Sequence, residues 1–161
     1  MATMIGTERN LVKCLIDLIE LDYDAVEAYE AAIARLDDAT SRPTMASFKD
    51  DHLRHIADLG RFVRQMGGDV PNKGDFKRVL TKGKVVIGEI LGDRGVLMAM
   101  KSNEEDTNEA YEKAASRTDT TPEVRQVLDR NLADERRHRA WIVARIDQMK
   151  DAPESSTSVG R

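Results

Sequence analysis

The chain has 161 residues, 40% hydrophobic and 34% charged, the mix of one globular domain large enough to build its own core. Its 25 Lys and Arg against 29 Asp and Glu leave a formal net charge of −4, so the basic excess that nucleic-acid binding needs is missing. Cys14 is the sole cysteine, which excludes an internal disulfide and a multi-cysteine metal cluster. No apolar run approaches the ~18 residues of a membrane span, and Met1–Thr7 lacks a leader pattern, so the expected location is the cytoplasm.

Leu11 to Leu36 reads as a first helix, free of Gly and Pro, with Val12, Leu15, Ile19, Val26 and Ile33 recurring at helical spacing. Asp38–Pro43 breaks it. A second helix carries Met45, Phe48, Leu59, Phe62 and Met66 on one stripe and ends at Gly67-Gly68. From Asp69 to about Lys84 a connector follows, rich in lysine and read as a solvated crossover. The third helix is expected from about Val85 to Arg117, although Gly88, Gly92 and Gly95 each disfavour it by ~1 kcal/mol. Those glycines would share one face and admit a second copy, giving a homodimer or larger homo-oligomer. Thr118–Glu123 combines a Thr cap, a Pro and an acid, the signals of a new helix start. The fourth helix runs to about Lys150, with Val124, Leu128, Leu132, Ile142, Ile146 and Met149 inward. Residues 1–150 thus form the domain, and the polar stretch 151–161 is expected to be a disordered tail. Two short links and one long one predict an all-α, antiparallel four-helix bundle with a long crossover between helices two and three.

The two helix pairs resemble each other. Glu27-Ala-Tyr-Glu30 recurs as Glu109-Ala-Tyr-Glu112, and His52-Leu-Arg-His55 matches Glu135-Arg-Arg-His138. Polar residues interrupt the inward stripes at Asp22, at His52 and His55, at Glu104, and at Glu135 and His138. Burying ionised carboxylates costs several kcal/mol each unless they are paired or bound to a cation. Inward acids from several helices, with a His three residues after a Glu, match the donor set of dinuclear carboxylate sites. A buried hydrogen-bond network of Glu, His and Tyr is the competing reading.

This order of an acid, a histidine, an acid and Glu-x-x-His resembles the ferritin-like superfamily, the fold of bacterioferritins and rubrerythrins, over residues 8–150. As in those families, an acid precedes a Tyr by seven residues, at Asp22 and Tyr29 and again at Glu104 and Tyr111. Met66-Gly-Gly-Asp-Val-Pro71 resembles the stretch closing helix two in rubrerythrin-like proteins. Small uncharacterised bacterial members are the most similar. The resemblance implies a mononuclear or dinuclear site for iron, or for manganese or zinc, ligated by Asp22, His52, His55, Glu104, Glu135 and His138. Tyr29 and Tyr111 would lie just outside it. Asp22 and His52 depart from the family's Glu, so the half built on Glu104, Glu135 and His138 is expected to bind more strongly. Glu30 and Glu105 are the alternatives if the register shifts. The implied function is metal or oxidative-stress handling. A peroxide- or oxygen-consuming oxidoreductase and a metal-free assembly or stress protein with a decayed site are the other readings.

Overall fold

The structure is a computed structural model that describes residues 3–73, 87, 90 and 92–151. Four helices make up the bundle: α1 Leu11–Arg35, α2 Ser41–Gln65, α3 Asp93–Ala115 and α4 Pro122–Asp151. No strand occurs among the described residues. None of the helices is long and apolar enough to cross a membrane.

Local chemistry sets the helix ends. Asn10 caps α1, its side-chain oxygen accepting from the Lys13 amide at 2.9 Å. α2 starts two residues earlier than Pro43 suggests, because the first-turn amides have no helical acceptor and a Pro there sacrifices nothing. At its other end Gly67 adopts a φ of 77°, which lets the Gly68 amide reach the Val63 carbonyl at 2.9 Å. The Gly67 amide meets the Arg64 carbonyl at 3.0 Å, completing a Schellman stop. Thr121 caps α4, accepting from the Val124 amide at 3.3 Å ahead of Pro122 in the first turn.

The start of α3 corrects the sequence reading. The helix begins at Asp93, and Gly92 precedes it as an N-cap with a φ of 84°. A glycine in that conformation ends the preceding segment and cannot sit within a helix. Gly95 is helical, and a side chain there would meet Ile90 of the same chain. Gly88 lies outside the described residues, as do most of the crossover and the tail from 152 onward. Gly92 therefore does not share a helical face with Gly95. Among the described residues the large exposed apolar side chains are Met4 before α1, Leu53 on α2, Met66 at its end and Met98 on α3.

The helices pack as a ring in the order α1, α2, α4, α3. Their buried residues define two apolar halves. One contains Leu11–Leu21 of α1, Leu59–Val63 of α2, Ala110–Ala115 of α3 and Val124–Leu132 of α4. The other contains Tyr29–Leu36, Met45 and Phe48, Val96–Met100, and Ile142 with Ile146. Along α1 and α4 the first half comes first, and along α2 and α3 it comes last, so each helix runs antiparallel to both neighbours. Between the halves lies a layer of buried polar side chains: Asp22, His52, His55, Glu104, Thr107, Asn131, Glu135 and His138.

Loop anchors hold the Leu36 end of this ring. Asp93 accepts from the Asp37 and Asp38 amides at 2.8 and 2.9 Å, tying the α1–α2 link to α3. Arg145 of α4 reaches the Asp38 carboxylate at 2.6 Å and the Ser41 hydroxyl at 3.2 Å. The Ser41 hydroxyl and then Arg145 hold the Asp38 carboxyl down at about 2, below its ordinary 3.8. A folded-state value below the unfolded one gives stability that is present above 3.8 and lost as pH falls toward 2. Arg145→Ala is expected to cost about 1–2 kcal/mol in chemical denaturation at neutral pH. Its stability difference from the parent should shrink on acidification through that window. A pH-independent difference would show that Arg145 acts through packing alone.

Candidate metal centre

All six residues singled out in the sequence meet in the polar layer. They fall into two groups whose donor atoms lie within 4.8 Å of one another: Asp22, His52, His55 and Glu135 in one, and His52, Glu104, Glu135 and His138 in the other. Every one of them is buried. α1 and α3 each supply one acid, α2 supplies two histidines, and α4 supplies the Glu-x-x-His pair. His52 and Glu135 belong to both groups.

Each outer member has one polar atom fixed from outside and another left facing inward. The Tyr111 hydroxyl donates to Asp22 Oδ2 at 2.6 Å, and the Tyr29 hydroxyl donates to Glu104 Oε1. His55 Nε2 lies 3.1 Å from Asp134 Oδ2, and His138 Nε2 lies 2.9 Å from Asp51 Oδ2. A carboxylate partner makes Nε2 the proton-bearing nitrogen and turns the Nδ1 lone pair inward. The inward atoms His52 Nε2, His55 Nδ1, His138 Nδ1, Glu104 Oε2 and both oxygens of Glu135 have no hydrogen-bond partner. A sealed network that existed only for packing would not leave them so, because each unsatisfied buried polar atom costs about 1–3 kcal/mol.

Apart from the hydrogen bond between Asp22 Oδ1 and His52 Nδ1, the spacing would suit a coordination shell. Bonds of about 2.0–2.1 Å arranged tetrahedrally put neighbouring donors about 3.4 Å apart. In the first group Asp22 Oδ1 is 3.5 Å from His55 Nδ1, and Glu135 Oε1 is 3.3 Å from His55 Nδ1 and 3.5 Å from His52 Nδ1. Asp22 Oδ1 is 2.8 Å from His52 Nδ1. The second group is wider, with Glu104 oxygens 3.9 Å from His52 Nε2 and 3.8 Å from His138 Nδ1. The closer spacing therefore lies on the Asp22 side, and the stronger binding expected from residue types on the Glu104 side.

Sequence reasoning missed the supports of the histidines. Asp51 and Asp134 each stand one residue before a site residue and each hold the histidine of the opposite helix. Arg54 bridges both, at 2.8 Å to Asp51 and by a direct contact to Asp134. Arg137 does the same, at 2.6 and 3.0 Å. Asp-x-x-Arg-His at 51–55 and again at 134–138 was the available signal, visible once the repeat is extended by one residue. Arg137 is thus more than a solvated back-of-helix charge. Asn131 was also missed: it is buried one turn before Glu135, and neither of its amide atoms has a hydrogen-bond partner. The alternatives Glu30 and Glu105 are outside the site, exposed and paired with Lys73 and Lys101. Trp141 packs edge-on against Phe48 at 5.7 Å, as a core aromatic does.

Without an ion, protons balance the carboxylates, and they do so unevenly. Burial pushes the Asp22 carboxyl up, but the adjacent His52 and His55 rings bring it below its usual value. Burial and the nearby Glu104 raise Glu135, against the opposing pull of His52. Burial disfavours the His52 imidazolium, yet the charge of Glu135 and the hydrogen bond to Asp22 hold it well above its ordinary value. His55 is likewise opposed by burial and carried by Asp134, Asp22 and Glu135 to about 10. At His138 burial wins, with help from His52, and the ring falls to about 4.

Fold and site together define a four-helix bundle with two overlapping buried clusters that could hold metal ions. The chain belongs to the family described as a domain of unknown function, DUF2383, which matches residues 10–117. That stretch spans α1 to α3 and includes Asp22, His52, His55 and Glu104, while Glu135 and His138 lie beyond it. Neither the curated proteins nor the solved structures gave a match.

The raised His55 has a measurable consequence in metal-stripped protein. It faces Asp22 of α1, Tyr111 of α3, Asp134 and Glu135 of α4, and His52 on its own helix. A folded-state value above the unfolded one gives stability that is present below 6.5 and lost as pH rises toward about 10. Melting temperature is expected to fall across that window, and His55→Gln should flatten the slope. An equally steep slope in the variant would assign the effect elsewhere.

Proposed function

We propose that this chain is a ferritin-like non-haem metal-binding protein that holds two divalent transition-metal ions, iron or manganese before zinc, in cytoplasmic metal or oxidative-stress handling. The observation that carries the reading is the convergence of unpartnered carboxylate and imidazole atoms in a sealed layer. Their spacing fits bonds of about 2.0–2.1 Å. Mixed nitrogen and oxygen donors favour these metals over calcium or magnesium, which take oxygen donors. The ferritin-like assignment draws on the ring of antiparallel helices, the acid-to-Tyr spacing of seven, and the Glu135-x-x-His138 pair. Asp22 and Glu104 would each bind through the oxygen that its tyrosine leaves free. His55 and His138 would bind through Nδ1, and Glu135 is within reach of either ion. Bound iron or manganese would supply redox chemistry, and the chain's own part is to position these donors and exclude bulk water.

Protein purified without chelator or a histidine tag, then loaded with ferrous, manganous or zinc ions, is expected to hold about two equivalents per chain. Less than about 0.1 equivalent with every ion would overturn the reading. Bound ions should also raise the melting temperature, by mass action on the folded state. Asp134→Asn and Asp51→Asn are expected to weaken binding about 10–100-fold while leaving the helix content intact. Because the donors sit closer around Asp22, Asp22→Ala should cost at least as much metal as His138→Ala. The reverse order would favour the half that keeps the family's residue types. Circular dichroism separates a lost ligand from a lost fold in each case.

A further inference from the structure

His52 occupies the position where the ferritin-like pattern has a carboxylate, and its two ring nitrogens face different groups. Nδ1 lies 2.8 Å from Asp22 and 3.5 Å from Glu135, while Nε2 lies 3.9 Å from Glu104 and has no hydrogen-bond partner. The ring is buried and held from several sides. Its centroid is 5.4 Å from those of Tyr29 and His138 and 5.5 Å from that of His55. We propose that His52 joins the two ions as a bridging imidazolate, Nδ1 binding the ion of the Asp22–His55 group and Nε2 that of the Glu104–His138 group. The inference rests on the two-ion reading above and adds to it how the ions are linked.

Charge supports the bridge. The carboxylates Asp22, Glu104 and Glu135 carry three negative charges, and two divalent ions carry four positive ones. A neutral ring, which can bind only one ion, would leave one net positive charge sealed between two apolar halves, which is costly. An imidazolate, formed when the ring's last N–H proton leaves to solvent and both nitrogen lone pairs bind metal, brings the sum to zero. Geometry separates this arrangement from an oxygen-bridged pair. A five-membered ring between two metal–nitrogen bonds of about 2.0–2.1 Å holds its ions about 6 Å apart. Two-metal sites closed by oxygen bridges hold theirs about 3.5–4 Å apart.

The test is a crystal structure of the full chain loaded with manganous or zinc ions, with each ion located by its anomalous signal. Two peaks about 6 Å apart, on either side of His52, are expected. Two peaks about 3.5–4 Å apart, or one ion bound by a single nitrogen of His52, would overturn the bridge while leaving metal binding in place. Failure to take up any metal would instead overturn the reading on which the bridge rests. His52→Glu, which restores the carboxylate, should draw the ions together to about 3.5–4 Å. An unchanged separation in that variant would also overturn the proposal. In solution, titration followed by metal analysis should show both ions bound at least tenfold more weakly in His52→Ala, and only one weakened in His55→Ala. If His52→Ala weakens one ion alone, the bridge is wrong. The wild-type separation decides the question even if a variant does not fold.

Discussion

The architecture depends on burying carboxylates at the middle of a bundle. Asp22, Glu104 and Glu135 are sealed between two apolar halves, where an isolated negative charge is worth several kcal/mol against folding. Everything around them manages that cost. Two tyrosines donate to two of the acids, two aspartates orient two of the histidines, and two arginines clamp the aspartates. These supports all act from outside the layer. They leave the inward atoms facing one another, the arrangement expected where the compensating charge is a cation in the middle and not a ring of internal hydrogen bonds.

Duplication explains why the supports come in pairs. Tyr29 of α1 serves Glu104 of α3, and Tyr111 of α3 serves Asp22 of α1. Asp51 of α2 orients His138 of α4, and Asp134 of α4 orients His55 of α2. Arg54 and Arg137 hold equivalent places in the two halves. The symmetry fails at Asp22 against Glu104, at His52 against Glu135, at Phe48 against Asn131 and at Ala25 against Thr107. Phe48 stacks on His138 at 4.3 Å, an apolar cover that complements the ring's preference for its neutral form. On the other side Asn131 puts an unpartnered amide at the equivalent place, and there the neighbouring acids raise the two histidines above their ordinary value. The two halves thus offer unlike surroundings although their scaffold is one repeat.

Much of this was legible in the sequence because helix periodicity and inward direction are the same information. Three histidines and three acids on otherwise apolar stripes could only point into the bundle, and they do. Gly67-Gly68 and Thr121-Pro122 marked helix ends by backbone chemistry that involves few residues. The start of α3 was not legible in this way. Helical spacing of Gly88, Gly92 and Gly95 suggested a face, whereas the conformation of Gly92 makes it a stop, and spacing cannot distinguish the two. Asp51 and Asp134 escaped notice for another reason. They lie at the edge of the buried layer, next to arginines, and read as ordinary surface ion pairs until the opposite helix is in place. The spacing of the donors also could not be read from residue types. Asp22 is one methylene shorter than Glu, but Tyr111 and the approach of α2 bring its free oxygen to within 2.8 Å of His52.

The DUF2383 match ends at residue 117, before α4 begins. In the matched stretch the first group has Asp22, His52 and His55, and the second has only His52 and Glu104. α4 supplies Glu135 to both groups, His138 to the second, and Asp134 to orient His55. Three donors suffice to hold one ion with a position left open, and two do not. A chain that shared only the matched stretch would therefore carry one site built on Asp22, and it would lack the carboxylate that orients His55. The second donor group is a property of α4, and specifically of its Asp-Glu-x-Arg-His run. That run repeats the α2 motif with Glu in place of His at its second position. Exchange of one residue type at one register position is what separates a helix that contributes two rings from a helix that contributes a ring and a carboxylate common to both groups.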